Sequence, residues 1–228
     1  MRGLFRPLRR VGRVVLRAGT VVILGTLALV ALFSVVNPPL TYTIWSESRR
    51  LGGVDQQWVA IEQVAPVMAR SVVAAEDANF CLHWGFDVTA IRAAMADGSG
   101  RGGSTITQQV VKNVFLWQGR SWIRKALETA ITPAVEAIWS KRRILEVYLN
   151  VAEMGEGVFG VEAASRRYFN TGPENLTPRQ AALLAAVLPL PKKRSPSRPS
   201  ARMQRKAAII MDGAATIRAD GRAACFED

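Results

Sequence analysis

The sequence predicts a mostly α-helical protein, one helical domain preceded by a single membrane-spanning helix. Three observations carry this. From Ala18 to Val36 there are 19 residues without a charge, which at about 1.5 Å rise per residue nearly cross a bilayer core. Downstream, apolar Ile123, Leu127, Ala130, Ile131, Ala134 and Ile138 recur at helical spacing. Convincing alternating strand patterns and internal repeats are both absent.

The elements follow in order. Residues 1–17 are a basic tail, with Arg2, Arg6, Arg9, Arg10, Arg13 and Arg17 and no acid among them. Residues 18–36 are the transmembrane helix, which Val14 and Val15 can lengthen while Arg17 snorkels. A cleaved secretory signal would have a shorter apolar core and a small-x-small site after it. Here Asn37-Pro38-Pro39 follows, so the reading is an uncleaved anchor. The arginines place the N-terminus in the cytoplasm and everything after Asn37 outside. Residues 37–56 read as a linker, irregular from Thr41 to Gln57, with Gly52-Gly53 as its signal. The domain spans 57–228.

Within it, Pro66 to Ala75 reads as a helix opening at a proline. Val88 to Met95 is a short helix. Asp97 to Gly103 holds four glycines in seven residues and reads as a mobile loop. Ser104 or Thr105 caps the next helix, through Gln108, Gln109 and Lys112. Trp122 to Trp139 is helical with Pro133 inside, so either it kinks or two helices meet. Arg143 to Leu149, Val161 to Phe169 and Arg179 to Leu188 are further helices, the last opened by Thr177-Pro178. A final helix runs from about Ala201 to Ala219.

The formal net charge of the 228 residues is +12, so an anionic partner is expected. The basic segments, at the N-terminus and between Lys192 and Lys206, lack the interleaved aromatics of a single-strand nucleic-acid surface. No nucleic-acid partner is expected. The charge between Lys192 and Lys206 reads as solvated or facing lipid headgroups. Cys81 and Cys225 both lie in the exported part, where an oxidising compartment permits a disulfide; two buried thiols are the alternative.

The chemistry concentrates in Glu76 to Asp87, which holds Glu76, Asp77, Asp87 and the single histidine, His83. Glu76 should sit where a buried helix opens into a cleft. Desolvation there raises its pKa and suits it to accept a proton near neutral pH; the bland alternative is a solvated helix end. Glu128 is a second candidate carboxylate, on one helix face with Arg124. Lys112, Arg120 and Lys125 complete a set of four cations suited to a phosphorylated sugar.

No zinc-ligand spacing, phosphate-binding loop or dinucleotide fingerprint is present. The sequence requires no cofactor and no protein-held metal. It is compatible with a divalent cation, Mg or Mn, shared between substrate phosphates and a carboxylate. Val114, Phe115, Leu116, Trp117 and Trp122 form an apolar cluster, either ordinary core or a patch that dips into lipid.

Read together, these motifs are recognisable. Glu76-Asp77-x-x-Phe80-x-x-His83-x-Gly85-Phe86-Asp87 resembles the first signature of the peptidoglycan glycosyltransferases of family 51. Gly103-Ser104-Thr105-Ile106-Thr107-Gln108-Gln109 resembles the second, Arg124-Lys125-x-x-Glu128 the third, and Ile144-Leu145-Glu146-x-Tyr148-Leu149-Asn150 the fourth. With Gly157-Val158-Phe159-Gly160 and Arg167-Tyr168-Phe169, the match covers about residues 57 to 190. The chain resembles the monofunctional branch, because no Ser-x-x-Lys and Lys-Thr-Gly pair of a transpeptidase follows.

The resemblance implies a lysozyme-like α fold. It implies polymerisation of lipid II, a disaccharide-pentapeptide on a polyprenyl diphosphate, into β-1,4 glycan with inversion. It puts Glu76 as general base and Glu128 as the second glutamate at the donor and diphosphate region. Lys112, Arg120, Arg124 and Lys125 match diphosphate-binding positions, and Ser104, Thr105, Gln108 and Gln109 match the cleft lining. Asp77, Phe80, His83 and Asp87 fall to supporting roles. Expected partners are lipid II, the growing glycan, membrane lipids and cell-wall synthesis or division proteins, at a bacterial inner membrane with the domain in the periplasm. The competing reading is a lysozyme-like lytic enzyme acting on the same polymer.

Overall fold

The computed structural model describes residues 5–96, 103–119 and 121–227. Two compact units result, 1–37 and 38–228. The first is helix α1 (Phe5–Phe33), in which Gly12–Phe33 has the length and apolar composition to cross a membrane. The helix ends three residues before Val36, in a turn where the Val36 amide donates to the Leu32 carbonyl at 2.9 Å.

The second unit begins with a helix where the sequence reads as irregular linker. Thr41 caps α2 (Tyr42–Leu51), its hydroxyl accepting from the Ile44 amide, and Gly52 closes it in the left-handed region. Thr41 alone, followed by a helix with few apolar positions, was too weak a local signal. Strand β1 (Asp55–Gln56) follows. It pairs parallel to β3 (Val158–Phe159), which pairs antiparallel to β2 (Glu153–Gly155). Strands this short carry no alternation that a sequence pattern could reveal.

The remaining helices follow the caps written in the sequence. Pro66 opens α3 (Pro66–Glu76). Asp87 precedes α4 (Val88–Ala96) and accepts from the Ala90 amide at 2.8 Å. A reciprocal Thr105/Gln108 capping box starts α5 (Ile106–Phe115). Ser121 caps α6 (Trp122–Ile138), which runs through Pro133 as one helix. Ser140 caps α7 (Lys141–Val151). Then come α8 (Gly160–Phe169), α9 (Pro178–Val187, with a Thr177/Gln180 capping box) and α10 (Ala201–Ala219, capped by Ser200). Each such cap satisfies amides that the first helical turn leaves free.

Two packing groups position the site. Helix α3 lies against α9 and α10, and α5 lies against α6 and α7. Met68, Val72 and Val73 of α3 are buried, as are Ile106, Val110 and Val111 of α5 and Leu145 and Leu149 of α7. The C-terminus adds a short helix that the sequence reading lacks, α11 (Ala224–Glu227), packed on α7. Cys225 on α11 is disulfide-bonded to Cys81, 144 residues away.

Candidate active site

Glu76 is the last residue of α3. Its Oε2 accepts from Gln109 Nε2 at 2.9 Å. Gln109 lies on α5, and its Oε1 accepts from the Tyr148 hydroxyl of α7 at 3.3 Å. One amide therefore joins three helices and fixes the carboxylate's direction. Burial pushes the Glu76 carboxyl above the ordinary glutamate range, and Asp77 adds to the rise. The Gln109 bond and the charges of Lys206 and Lys112 pull the other way without cancelling it. The Tyr148 phenol is driven well up by complete burial, then by Glu76 and Asp77, so it stays a neutral donor.

The stretch after Glu76 is braced from inside. Asp77 Oδ1 meets His83 Nε2 at 2.7 Å, and Asp77 Oδ2 accepts from the Ile106 amide at 3.0 Å. A carboxylate at the first amide of α5 favours the helix dipole. Asn79 donates to Asp87 Oδ2 at 2.9 Å. Phe80 is fully buried and meets the His83 ring edge-on at 6.4 Å between centroids. Lys141 Nζ lies 4.5 Å over the Phe80 ring, donates to the His83 carbonyl at 2.8 Å and pairs with Glu136 at 2.9 Å. Glu136 also accepts from the Thr107 hydroxyl at 2.5 Å. Asp77, His83 and Asp87 offer ligand atoms within 4.8 Å of one another. All four of their carboxylate oxygens accept hydrogen bonds or the His83 contact, so the trio braces the turn.

The second carboxylate, Glu128, is 2% exposed. Arg124 Nη1 reaches its Oε2 at 2.6 Å, and Lys125 pairs with its Oε1. Lys125 Nζ also meets Ser104 Oγ at 3.2 Å. Lys112 links the two carboxylates electrostatically: burial lowers its pKa, and Glu128 and Glu76 both work against that fall. Cations and carboxylates thus form one group across α3, α5 and α6.

Of the cavities that touch this group, two lie at Glu76 and Gln109. One, of about 330 Å³, is lined by Gln109, Lys112, Tyr148, Glu47, Glu153 and Lys192 among others. The other, of about 380 Å³, is lined by Glu76, Asp77, Asn79, Asp87, Ser104 and Thr105 among others. Glu76 borders one and its partner Gln109 the other, so the bond between them lies where the cavities approach.

The residues expected at the site divide by what they touch. Glu76, Glu128, Lys112, Arg124, Lys125, Ser104 and Gln109 come together. Thr105 and Gln108, expected at the cleft lining, are buried and spend their side chains on the α5 capping box; Thr105 also donates to the Gly85 carbonyl at 2.7 Å. Thr105 lines the cavity beside Glu76 all the same, and Gln108 supports it through the cap. Asp77, Phe80, His83 and Asp87 brace the turn. Arg120 and the 97–102 part of the glycine loop lie outside the described residues.

Sequence reasoning missed Tyr148, Lys206 and Arg194 as members of this environment. Tyr148 carried a usable signal, a phenol between Leu145 and Leu149 on a buried face, where it needs a partner. Lys206 carried none. It reads as one of a solvated run, yet α10 brings it within range of Glu76. Burial lowers its pKa, Glu76 opposes the fall and Arg194 adds to it.

Comparison with known proteins agrees with this geometry. Residues 46–215 match the Transglycosylase family. A protein of Jannaschia sp. (strain CCS1) is 62% identical over 205 residues, covering 89% of this chain and 86% of its own. One from Rhodospirillum centenum is 48% identical over 180 residues, covering 77% and 78%. One from Escherichia coli (Crooks strain) is 46% identical over 194 residues, covering 80% of each. All three are named biosynthetic peptidoglycan transglycosylase.

Proposed function

The chain belongs to the transglycosylase family, and from that premise we infer how its lysozyme-like domain works as a peptidoglycan glycosyltransferase. The substrate is lipid II together with the growing glycan. The reaction is transfer of a donor sugar from a polyprenyl diphosphate to the 4-hydroxyl of an acceptor sugar. The observation that carries the reading is the pairing of a desolvated, Gln109-held Glu76 with a buried Glu128 already surrounded by cations. A purely lytic enzyme has no use for that cationic group, since its leaving group is a neutral sugar.

In the mechanism, the Glu76 carboxylate takes the proton from the acceptor 4-hydroxyl. The freed oxygen attacks donor C1, the bond from C1 to the diphosphate oxygen breaks, and its electron pair leaves with the diphosphate. Attack opposite the leaving group converts the α linkage to β. A diphosphate leaves readily once its charge is met. We assign that work to Lys112, Arg124 and Lys125, with Arg120, which lies four positions before Arg124 in the sequence. Glu128 holds Arg124 and Lys125 in place, which keeps two flexible cations aimed before substrate arrives. A divalent cation, if used, would be held by the substrate diphosphate and a carboxylate and would add to the neutralisation of the leaving charge.

The same reading sets the location. We place α1 across the bacterial inner membrane with its arginines in the cytoplasm and the catalytic domain in the periplasm. Trp122 and Ile123, 91% and 70% exposed, flank Arg124 and Lys125 and fit the boundary of a bilayer, where lipid II resides.

The test uses the full chain in detergent or vesicles with lipid II. Wild type yields glycan polymer that a muramidase digests, which reports β-1,4 linkage, and Glu76→Gln yields none. Loss of preformed glycan in place of chain growth overturns the reading. Phosphatase fusions before Arg17 and after Asn37 test the orientation, with activity expected only for the second.

A further inference from the structure

The seven residues after Glu76 have little structure of their own. Among their amides, Phe80 donates to the Asp77 carbonyl and Leu82 to the Asn79 carbonyl, closing no more than a single 3-10 turn (Phe80–Leu82). Such a segment stays ordered only when contacts from elsewhere offset its conformational entropy. Its inner side meets the Asp77, His83 and Asp87 brace. Its outer side meets the C-terminus of the chain at three successive points. Arg222 Nη1 donates to the Ala78 carbonyl at 2.9 Å. Phe226, buried, packs on Phe80 at 6.4 Å between ring centroids. Cys225 is bonded to Cys81, with Cα atoms 5.7 Å apart.

The C-terminus is itself anchored to the helices of the site. Glu227 pairs with Arg70 of α3 at 2.7 Å, and the Phe226 carbonyl accepts from Arg142 of α7 at 2.8 Å. Asp220 holds the Arg222 guanidinium at 2.7 Å. The last turn of the chain therefore spans from α3 and α7 to residues 78–81, immediately beyond Glu76. A disulfide whose purpose was only to shorten the unfolded chain could join any two distant surface points. This one reaches the segment whose path sets where the Glu76 carboxylate leaves α3.

We propose that the C-terminal tail, through Arg222, the Cys81–Cys225 bond and Phe226, is a positioning clamp on residues 77–83, and that opening this bond slows glycosyl transfer without releasing lipid II. The proposal rests on the glycosyltransferase reading. Opening requires a reductant: a dithiol gives two electrons, becomes a cyclic disulfide, and leaves Cys81 and Cys225 as thiols. The clamp thereby makes turnover depend on an oxidising surrounding. Arg222, Cys81, Cys225 and Phe226 line neither cavity at Glu76 and Gln109, so the diphosphate cations and the cavities keep their affinity when the clamp opens.

The experiment measures kcat and KM for lipid II polymerisation on the full chain before and after dithiothreitol, with both thiols counted by maleimide labelling and melting followed by circular dichroism. The expected result is a fall in kcat of about tenfold or more, the size that a sub-ångström to ångström displacement of a reacting group produces. KM stays within about twofold, the protein stays folded at the assay temperature, and reoxidation restores kcat. Arg222→Ala with the bond intact lowers kcat by about threefold, and Arg222→Lys recovers part of it. Unchanged kcat with both thiols titrated overturns the proposal. Should reduction unfold the domain, Arg222→Ala decides, and a wild-type kcat in that variant overturns the clamp in favour of a folding staple. Failure of the oxidised wild type to polymerise overturns the glycosyltransferase reading instead.

Discussion

Gln109 Nε2 donates to Glu76 Oε2 at 2.9 Å while Gln109 Oε1 accepts from the Tyr148 hydroxyl at 3.3 Å. A flipped amide would turn its carbonyl oxygen onto the Glu76 carboxylate, which only accepts, so the Glu76 contact fixes which end of the amide faces which partner. Gln109→Ala should leave the carboxylate without its fixed donor and lower kcat by about 10- to 100-fold with little change in KM. Tyr148→Phe, which removes only the hydroxyl that holds the amide, should cost several-fold. Steady-state polymerisation kinetics check both.

The activity of the enzyme should show a bell in pH. Glu76 must be ionised to take a proton, and its carboxyl sits above the ordinary range, so the acidic limb of kcat/KM falls above that of a free glutamate. Lys112 must stay charged, and burial lowers its pKa, so the alkaline limb falls below that of a free lysine. Lys112→Arg should keep activity within about tenfold and push the alkaline limb outward, because a guanidinium does not titrate there. Lys112→Ala should lose about 10²-fold.

The raised carboxyl of Glu76 also marks a stability cost. With the folded value above the unfolded one, the native state holds more protons between the two values, so stability falls as pH rises through that window. Glu76→Gln should therefore melt above wild type at neutral pH, with the gap closing on acidification below the unfolded glutamate value. Paired thermal melts at pH 4 and pH 7 read this directly. Catalysis and stability move in opposite directions in this one variant.

Beneath the turn, Glu136 is buried and paired with Lys141 at 2.9 Å. Lys141→Ala leaves a buried charge without its cation and removes the cover over Phe80. The expected cost is about 3–5 kcal/mol, which for a domain of this size lowers the melting midpoint by roughly 6–20 °C. Glu136→Gln with Lys141→Met should recover much of it, checked by melting the double variant.

Much of the fold could be read from local chemistry. Pro66, Thr105 and Thr177-Pro178 each announce a helix start, and those helices are present; the Ser140 and Ser200 caps are signals of the same kind that the sequence reading passed over. The paired glutamates and their cations were legible because Arg124, Lys125 and Glu128 share one helical turn and Lys112 lies on the helix packed beside it. What stayed hidden depends on separation along the chain. Lys206 reaches Glu76 only after α10 folds onto α3, and Arg222 reaches Ala78 across 144 residues. The three-stranded sheet joins Asp55 to Val158 through strands too short for a pattern. Thr105 both caps α5 and lines the cavity beside Glu76, and the sequence could not separate the two uses because a capping box and a polar cleft ask for the same residue types.

Gly85 carries one more implication. It sits at φ +83°, and a Cβ there would lie 2.6 Å from Thr132 Cγ2 and 3.0 Å from Glu136 Cγ. The bend that follows His83 is therefore moulded against α6, the same helix that presents Glu128. Anyone building chimaeras from related sequences should transplant these two surfaces as a unit. Swapping the acidic turn alone would set foreign shapes against a face cut for the original, and the hybrid would lose the register between its two glutamates before any reacting group had been altered.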